Sequence, residues 1–236
     1  MHTIKRIFRN TYQGENIYTS ATYVAGEWQY QTEHVPKIVH NQRYSKNAVA
    51  IGNGVSRENF DLNIIKHKKI QTYGCNALYR DFSPTFLLVT GSDIAQEVYK
   101  SGYAAKNVVY STTDNILKYP SMFHLVPQNP AWNSGALAAY LACFDGHSTV
   151  YLVGHDGLDT EGHFNNIYKD TNAYTDYAHV TDKFWALSMS HVFKTYPLVE
   201  FVLVNATGRG YMPVEWLGHT NLRRISFYDM VLECDL

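Results

Sequence analysis

From Ala48 onward, short apolar runs recur along the chain: Ala48–Gly52, Ile70–Tyr73, Phe86–Thr90, Asn107–Tyr110, Thr149–Val153 and Glu200–Val204. Most are apolar at consecutive positions, not alternate ones, as strands of a parallel sheet covered on both faces require. Helical patterns fall between several of them. Asp93–Lys100 is amphipathic and stops at Ser101-Gly102. Asn133–Phe144, NSGALAAYLACF, is rich in small residues and ends near Gly146, so it predicts a helix packed close against the sheet. Asp182–Tyr196 is long and aromatic-rich and is stopped by Pro197. This alternation predicts βαβ crossovers and an open, mostly parallel α/β sheet with flanking helices.

Residues 1–45 differ. NIYTSATYV and GEWQYQT mix Thr, Tyr, Val and Trp with polar residues and turn formers, which predicts short strands and a hairpin around Ala25-Gly26. The chain thus divides into an N-terminal β-rich extension, 1–45, and a Rossmann-like nucleotide-binding domain, 46–236. A length of 236 residues suits that division.

Composition narrows the function classes. Hydrophobic residues make up 45% of the chain, enough for a sizeable core. The net charge is -1, from 20 basic and 21 acidic residues, which argues against a nucleic-acid or membrane-surface partner. Cys75, Cys143 and Cys234 are far apart and form no CxxC pair, so neither a disulfide framework nor a thiolate zinc site is expected. The N-terminal MHTIKRIFRNTYQG has no apolar core of a signal peptide, and no apolar run approaches the roughly 20 residues that span a bilayer. The expected location is cytoplasmic.

Polar clusters follow the predicted strands, where open α/β sheets bind ligands. Gly52, Asn53, Gly54 and Ser56 follow the first: glycines bring backbone N–H groups close to a ligand, and Ser56 caps the next turn. On that motif alone, a plain capped turn accounts for the residues equally well. GxGxxG is not completed, because Arg57 and Glu58 follow, and no Walker A pattern is present. Asn76 follows the second strand. Asn133, Ser134 and Gly135 open the small-residue helix as a second anion site or an ordinary cap. Gly154–His163 carries His155, Asp156, Asp159, Glu161 and His163, suited to acid/base or metal chemistry or to a polar loop, and its spacing matches no specific metal motif. Asp156, directly after a buried strand, is the strongest of these. His179 precedes the long helix, as a general base or as an ordinary surface histidine.

Read in order, these motifs resemble the bacterial sialyltransferases of glycosyltransferase family forty-two. IGNGVSRENFDL is similar to their opening strand and turn, YGCNALYRDF to their second motif, and NSGALAAYLACFDGHSTVYLVGHD to their helix–strand unit; YAHVTDKFWAL falls where the family carries its catalytic histidine. The span is about Ala48 to Val204. VGHD and the small-residue helix also resemble the MptE-like domain of pterin diphosphokinases and of Maf-type nonulosonic acid transferases. The resemblance implies a nucleotide or nucleotide-sugar held by Gly52, Asn53, Gly54, Ser56 and Asn76, with Ser134 and Gly135 near its phosphate or carboxylate. It implies Asp156 on the ribose or base, and His179 deprotonating a glycan or small-molecule acceptor. No cofactor is required in that family. Departures are Val55 for the family's proline, Asn133 for the Thr of TSG, Ala131 for the preceding Arg, and no tyrosines directly after the GxD pattern, where Tyr168 or Tyr174 could substitute. They bear on the reaction more than on binding, and leave a divalent metal at Asp156 and His155 open. The competing readings are a non-catalytic binding or assembly protein, for example a virion component, as a homo-oligomer or larger assembly, and an MptE-like diphosphokinase using ATP and Mg²⁺.

Overall fold

The computed structural model describes residues 4–12, 15–25, 27–34, 43, 45–128, 130–156, 165–174, 182–209 and 212–236. Three strands open the chain: β1 (Ile4–Tyr12), β2 (Glu15–Val24) and β3 (Glu27–His34). They form their own antiparallel sheet in the order β1-β2-β3. β2 and β3 pair with Val24 opposite Glu27, and the hairpin turns through Ala25 at φ 53°. β1 interleaves Lys5, Arg6, Arg9 and Asn10 with its apolar residues, so the apolar pattern does not single it out.

The second sheet has eight strands, all parallel: β4 (Asn47–Ile51), β5 (Gln71–Cys75), β6 (Phe86–Val89), β7 (Val109–Ser111), β8 (His124–Leu125), β9 (Thr149–Val153), β10 (Glu200–Asn205) and β11 (Leu222–Ser226). Helices α1 (Asn63–His67), α2 (Ser92–Lys100), α3 (Thr113–Lys118), α4 (Ser134–Phe144), α5 (Asp182–Thr195) and α6 (Phe227–Glu233) flank it. The architecture is the expected open Rossmann-like sheet, with every pair parallel where the sequence predicts only most. The six runs of the apolar pattern are β4, β5, β6, β7, β9 and β10. β8 is only two residues long, and β11, at the sheet edge, reads LRRIS with a single fully buried position, Ile225. Neither can announce itself by hydrophobicity.

Alternation along each strand feeds two cores. Ala48 and Ala50 of β4 join α4, α5 and Trp216 on one face, while Val49 and Ile51 join α1, α2 and Met230 on the other. Residues Ser134 to Cys143 of α4 are all buried, because Gly135 and four alanines let the helix lie close on the central strands. Asn133 caps it, its side chain accepting from the Ala136 N–H at 3.0 Å. The cysteines are free of disulfides. Among the described residues, no helix is long and apolar enough to cross a membrane.

The strand order, β11-β10-β9-β4-β5-β6-β7-β8, fixes where a site can form. This sheet begins at β4, builds outward to β8, and then places β9 on the other side of β4. The helices that follow β4 and β9, α1 and α5, pack into opposite cores, so the strand order reverses between these two strands, which is where open α/β sheets bind ligands. At the other end of the sheet the polar groups are buried and joined. The Tyr73 hydroxyl donates to Asp145 at 2.7 Å and lies 3.1 Å from His147 Nε2, whose ring also contacts the Ser45 carbonyl at 3.1 Å. Tyr73→Phe removes the hydroxyl that joins these two buried side chains. It is expected to lower the unfolding free energy by about 1–3 kcal/mol, measured by urea denaturation; an unchanged midpoint would show that the network does not contribute.

Candidate functional site

Where β4 and β9 end, their backbones stay joined. The Gly52 N–H donates to Val153 O at 2.8 Å, and the Gly54 N–H to Gly154 O at 2.9 Å. A Cβ on Gly52 would lie 2.2 Å from the Gly154 carbonyl oxygen, inside any permissible contact, and Gly154 itself sits at φ 69°. The first glycine of the motif is thus required by this backbone approach rather than by a ligand.

Gly54 serves a different neighbour. A Cβ there would stand 2.3 Å from Cγ of Asp156. The carboxylate fills that space and accepts from the Ser56 N–H at 2.6 Å, from the Ser56 hydroxyl, and from Asn165 Nδ2 at 3.2 Å. Burial raises its pKa, an effect that the Ser56 donors and the Arg57 charge offset only in part. The one-turn 3-10 helix Val55–Arg57 therefore begins on a carboxylate from β9. The turn expected to cradle a ligand anion already holds an anion of the protein, and Ser56 is spent on it.

Beside this pair lies a cavity of about 430 Å³. Gly52, Asn53 and Gly54 line it just after β4, Asn76 just after β5, Ser134 and Gly135 from the start of α4, and Asp156 after β9. Seven predicted residues from four separate segments thus share one cavity, and Ser56 reaches it through Asp156. His179 lies outside the described residues, as do Asp159, Glu161 and His163. Asn53 donates to the Cys75 carbonyl at 3.1 Å. Asn76, at φ 49°, donates to Ser134 Oγ at 2.8 Å and accepts from the Thr90 N–H at 3.3 Å, so it ties β5, β6 and α4 together. Asn133 Nδ2 donates to Trp185 O at 3.3 Å and locks the start of α4 to α5.

Several contributors carry no motif. Trp132, Tyr174, Phe184 and Trp185 form aromatic walls. The segment Asn165–Tyr174 forms another wall, and two arginines hold it. Buried Arg57 donates to Gly52 O at 2.9 Å and to the Tyr168 hydroxyl at 2.9 Å. Arg80 pairs with Glu97 at 2.7 Å and donates to Thr171 Oγ1 and Asn172 O, each at 2.7 Å. Both guanidinium groups sit over the Tyr168 ring, at 5.8 and 5.5 Å from its centroid. The Ile167 N–H donates to Asn53 O at 3.0 Å. Tyr168 is thereby consumed in anchoring, and Tyr174 is the tyrosine that lines the cavity. A charged residue one turn after a buried strand, as Arg57 is, was the available sign of such an anchor.

Among the described residues, no group of three or more His, Cys, Asp or Glu side chains is placed to hold a metal ion. No family model, curated protein or solved structure matches this chain.

Two predictions follow from this geometry. Gly52→Ala forces its Cβ onto the Gly154 carbonyl and is expected to destabilise the fold by about 1–3 kcal/mol in urea denaturation; wild-type stability would contradict the contact. The second concerns His155 and His147, whose pKa values burial lowers from 6.5 to about 4. The unfolded chain takes up protons that the folded chain refuses, so their contribution is complete above pH 6.5 and is lost as pH falls toward 4. Asp156, shifted upward, offsets part of this. Urea midpoints should therefore fall from about pH 6.5 to about pH 5, and a flat profile there would contradict the burial.

Proposed function

We propose that the chain is a nucleotide-dependent transferase, most concretely a sialyltransferase-like glycosyltransferase that takes a nucleotide-activated sugar. The observation that supports this reading most directly is the convergence of Gly52, Asn53, Gly54, Asn76, Ser134, Gly135 and Asp156 on one cavity at the switch between β4 and β9. Its size falls within the roughly 300–1,000 Å³ of small-ligand sites.

In this reading the ligand's phosphate lies at the start of α4, where first-turn N–H groups at Ser134 and Gly135 favour an anion. The Asp156 carboxylate repels a phosphate from the Val55–Arg57 turn and directs it there. Trp132, Tyr174 and Phe184 offer faces and edges for a base or sugar ring. The acceptor hydroxyl oxygen attacks the anomeric carbon, its proton passes to His179, and the bond from that carbon to the phosphate oxygen breaks with release of the nucleotide. Tyr174 is the candidate hydroxyl for the leaving phosphate. No metal is invoked.

The separate β1–β3 sheet favours the second reading, an assembly protein that binds the same ligand without turnover. Calorimetry with CMP, UDP, ATP and their sugar conjugates, followed by product analysis, separates the readings. We expect binding of a pyrimidine nucleotide or its sugar conjugate, with Ser134→Asp abolishing it by placing a negative charge at the start of α4. We also expect turnover that His179→Ala lowers by about 10²–10⁴-fold without loss of binding. Binding without turnover supports the assembly reading, an ATP and Mg²⁺ requirement supports a diphosphokinase, and no binding of any nucleotide ends the proposal.

A further inference from the structure

Asn53 Oδ1 and His155 Nε2 are buried and have no hydrogen-bond partner among the described residues. Both side chains belong to cavity-lining residues, 8% and 5% exposed. A buried polar atom left unpaired has lost its water without compensation, so two on cavity-lining residues call for a partner that arrives from the cavity.

The neighbours of each atom define that partner. The Asn53 amide nitrogen is held by the Cys75 carbonyl at 3.1 Å, which fixes the amide and leaves its oxygen as an acceptor. A backbone hydrogen bond at Ala50 favours the charged His155 ring, so the ring donates it, and with Nε2 unpartnered the donor is Nδ1. The buried ring is neutral near pH 7, which leaves Nε2 with a lone pair and no proton. Both atoms therefore ask for a donor.

Two glycines place the ring. A Cβ on Gly52 would lie 3.4 Å from His155 Cδ2, and one on Gly135 would lie 3.4 Å from Cε1 and 3.6 Å from Nδ1. The imidazole therefore sits between the end of β4 and the first turn of α4, where both glycines line the cavity.

We propose that Asn53 Oδ1 and His155 Nε2 form a subsite that accepts hydrogen bonds from the hydroxyl groups of the ligand's sugar, next to the anion position at the start of α4. The ligand class is a phosphorylated sugar with free hydroxyls. The proposal rests on the nucleotide reading only for identifying that sugar as ribose.

Nitrogen NMR of the full chain tests this, following His155 Nε2 during titration with CMP, UMP, AMP, their 2′,3′-dideoxy counterparts and ribose 5-phosphate. A bound ribonucleotide is expected to shift Nε2 as an accepting nitrogen, while its dideoxy counterpart binds roughly tenfold to a hundredfold more weakly and leaves Nε2 unmoved. In His155→Phe, and in Asn53→Leu should the first variant not fold, that discrimination shrinks, because each removes one of the two unpartnered atoms. A Nε2 shift with ribose 5-phosphate but with no nucleotide supports the subsite while ending the nucleotide reading. Equal binding of ribo- and dideoxynucleotides overturns the subsite and leaves the nucleotide reading intact. No binding and no shift with any probe overturns both.

Discussion

The site depends on one backbone contact, the approach of Gly52 to Gly154 past the ends of β4 and β9. Two hydrogen bonds, at 2.8 and 2.9 Å, carry the sheet's pairing beyond its last paired residues at the point where strand order reverses. A side chain at position 52 would force these strand ends apart. With them held together, Asp156 reaches the space above Gly54, and His155 is confined between Gly52 and Gly135. The crevice is thus a consequence of topology, and its chemistry follows from which side chains that contact pushes into place.

The contact also redistributes charge. Asp156 satisfies the Ser56 donors, so the first turn after β4 is closed to a second anion. In the proposed function the anion therefore goes to the start of α4, since electrostatic repulsion acts at one position and N–H dipoles attract at the other. Arg57 directs its guanidinium to Gly52 O and Tyr168, and its charge favours the Asp156 carboxylate. With Arg80 it fixes the Asn165–Tyr174 wall. The two arginines thus shape the cavity.

The sequence made the sheet legible because burial on both faces requires unbroken apolar runs, and β4, β6, β9 and β10 have them. It hid β11, where Arg223 and Arg224 break the apolar run, and β8, too short to carry a pattern. The cavity residues were legible as far as strand ends are where α/β sheets bind ligands. The Ser56–Asp156 pair was not, because its members stand one hundred residues apart and each looks like a ligand group alone. The orphaned acceptors on Asn53 and His155 were hidden for the same reason: only the fold shows that Cys75 and Ala50 take one nitrogen of each side chain.

In the proposed function the ligand's phosphate sits at the start of α4 because Asp156 occupies the turn after β4. A crystal structure with a bound ribonucleoside monophosphate decides this. The phosphate is expected against Ser134 and Gly135, with the Asp156 carboxylate still on Ser56. A phosphate bound to the Ser56 N–H with Asp156 displaced, or a nucleotide bound elsewhere on the molecule, would contradict it.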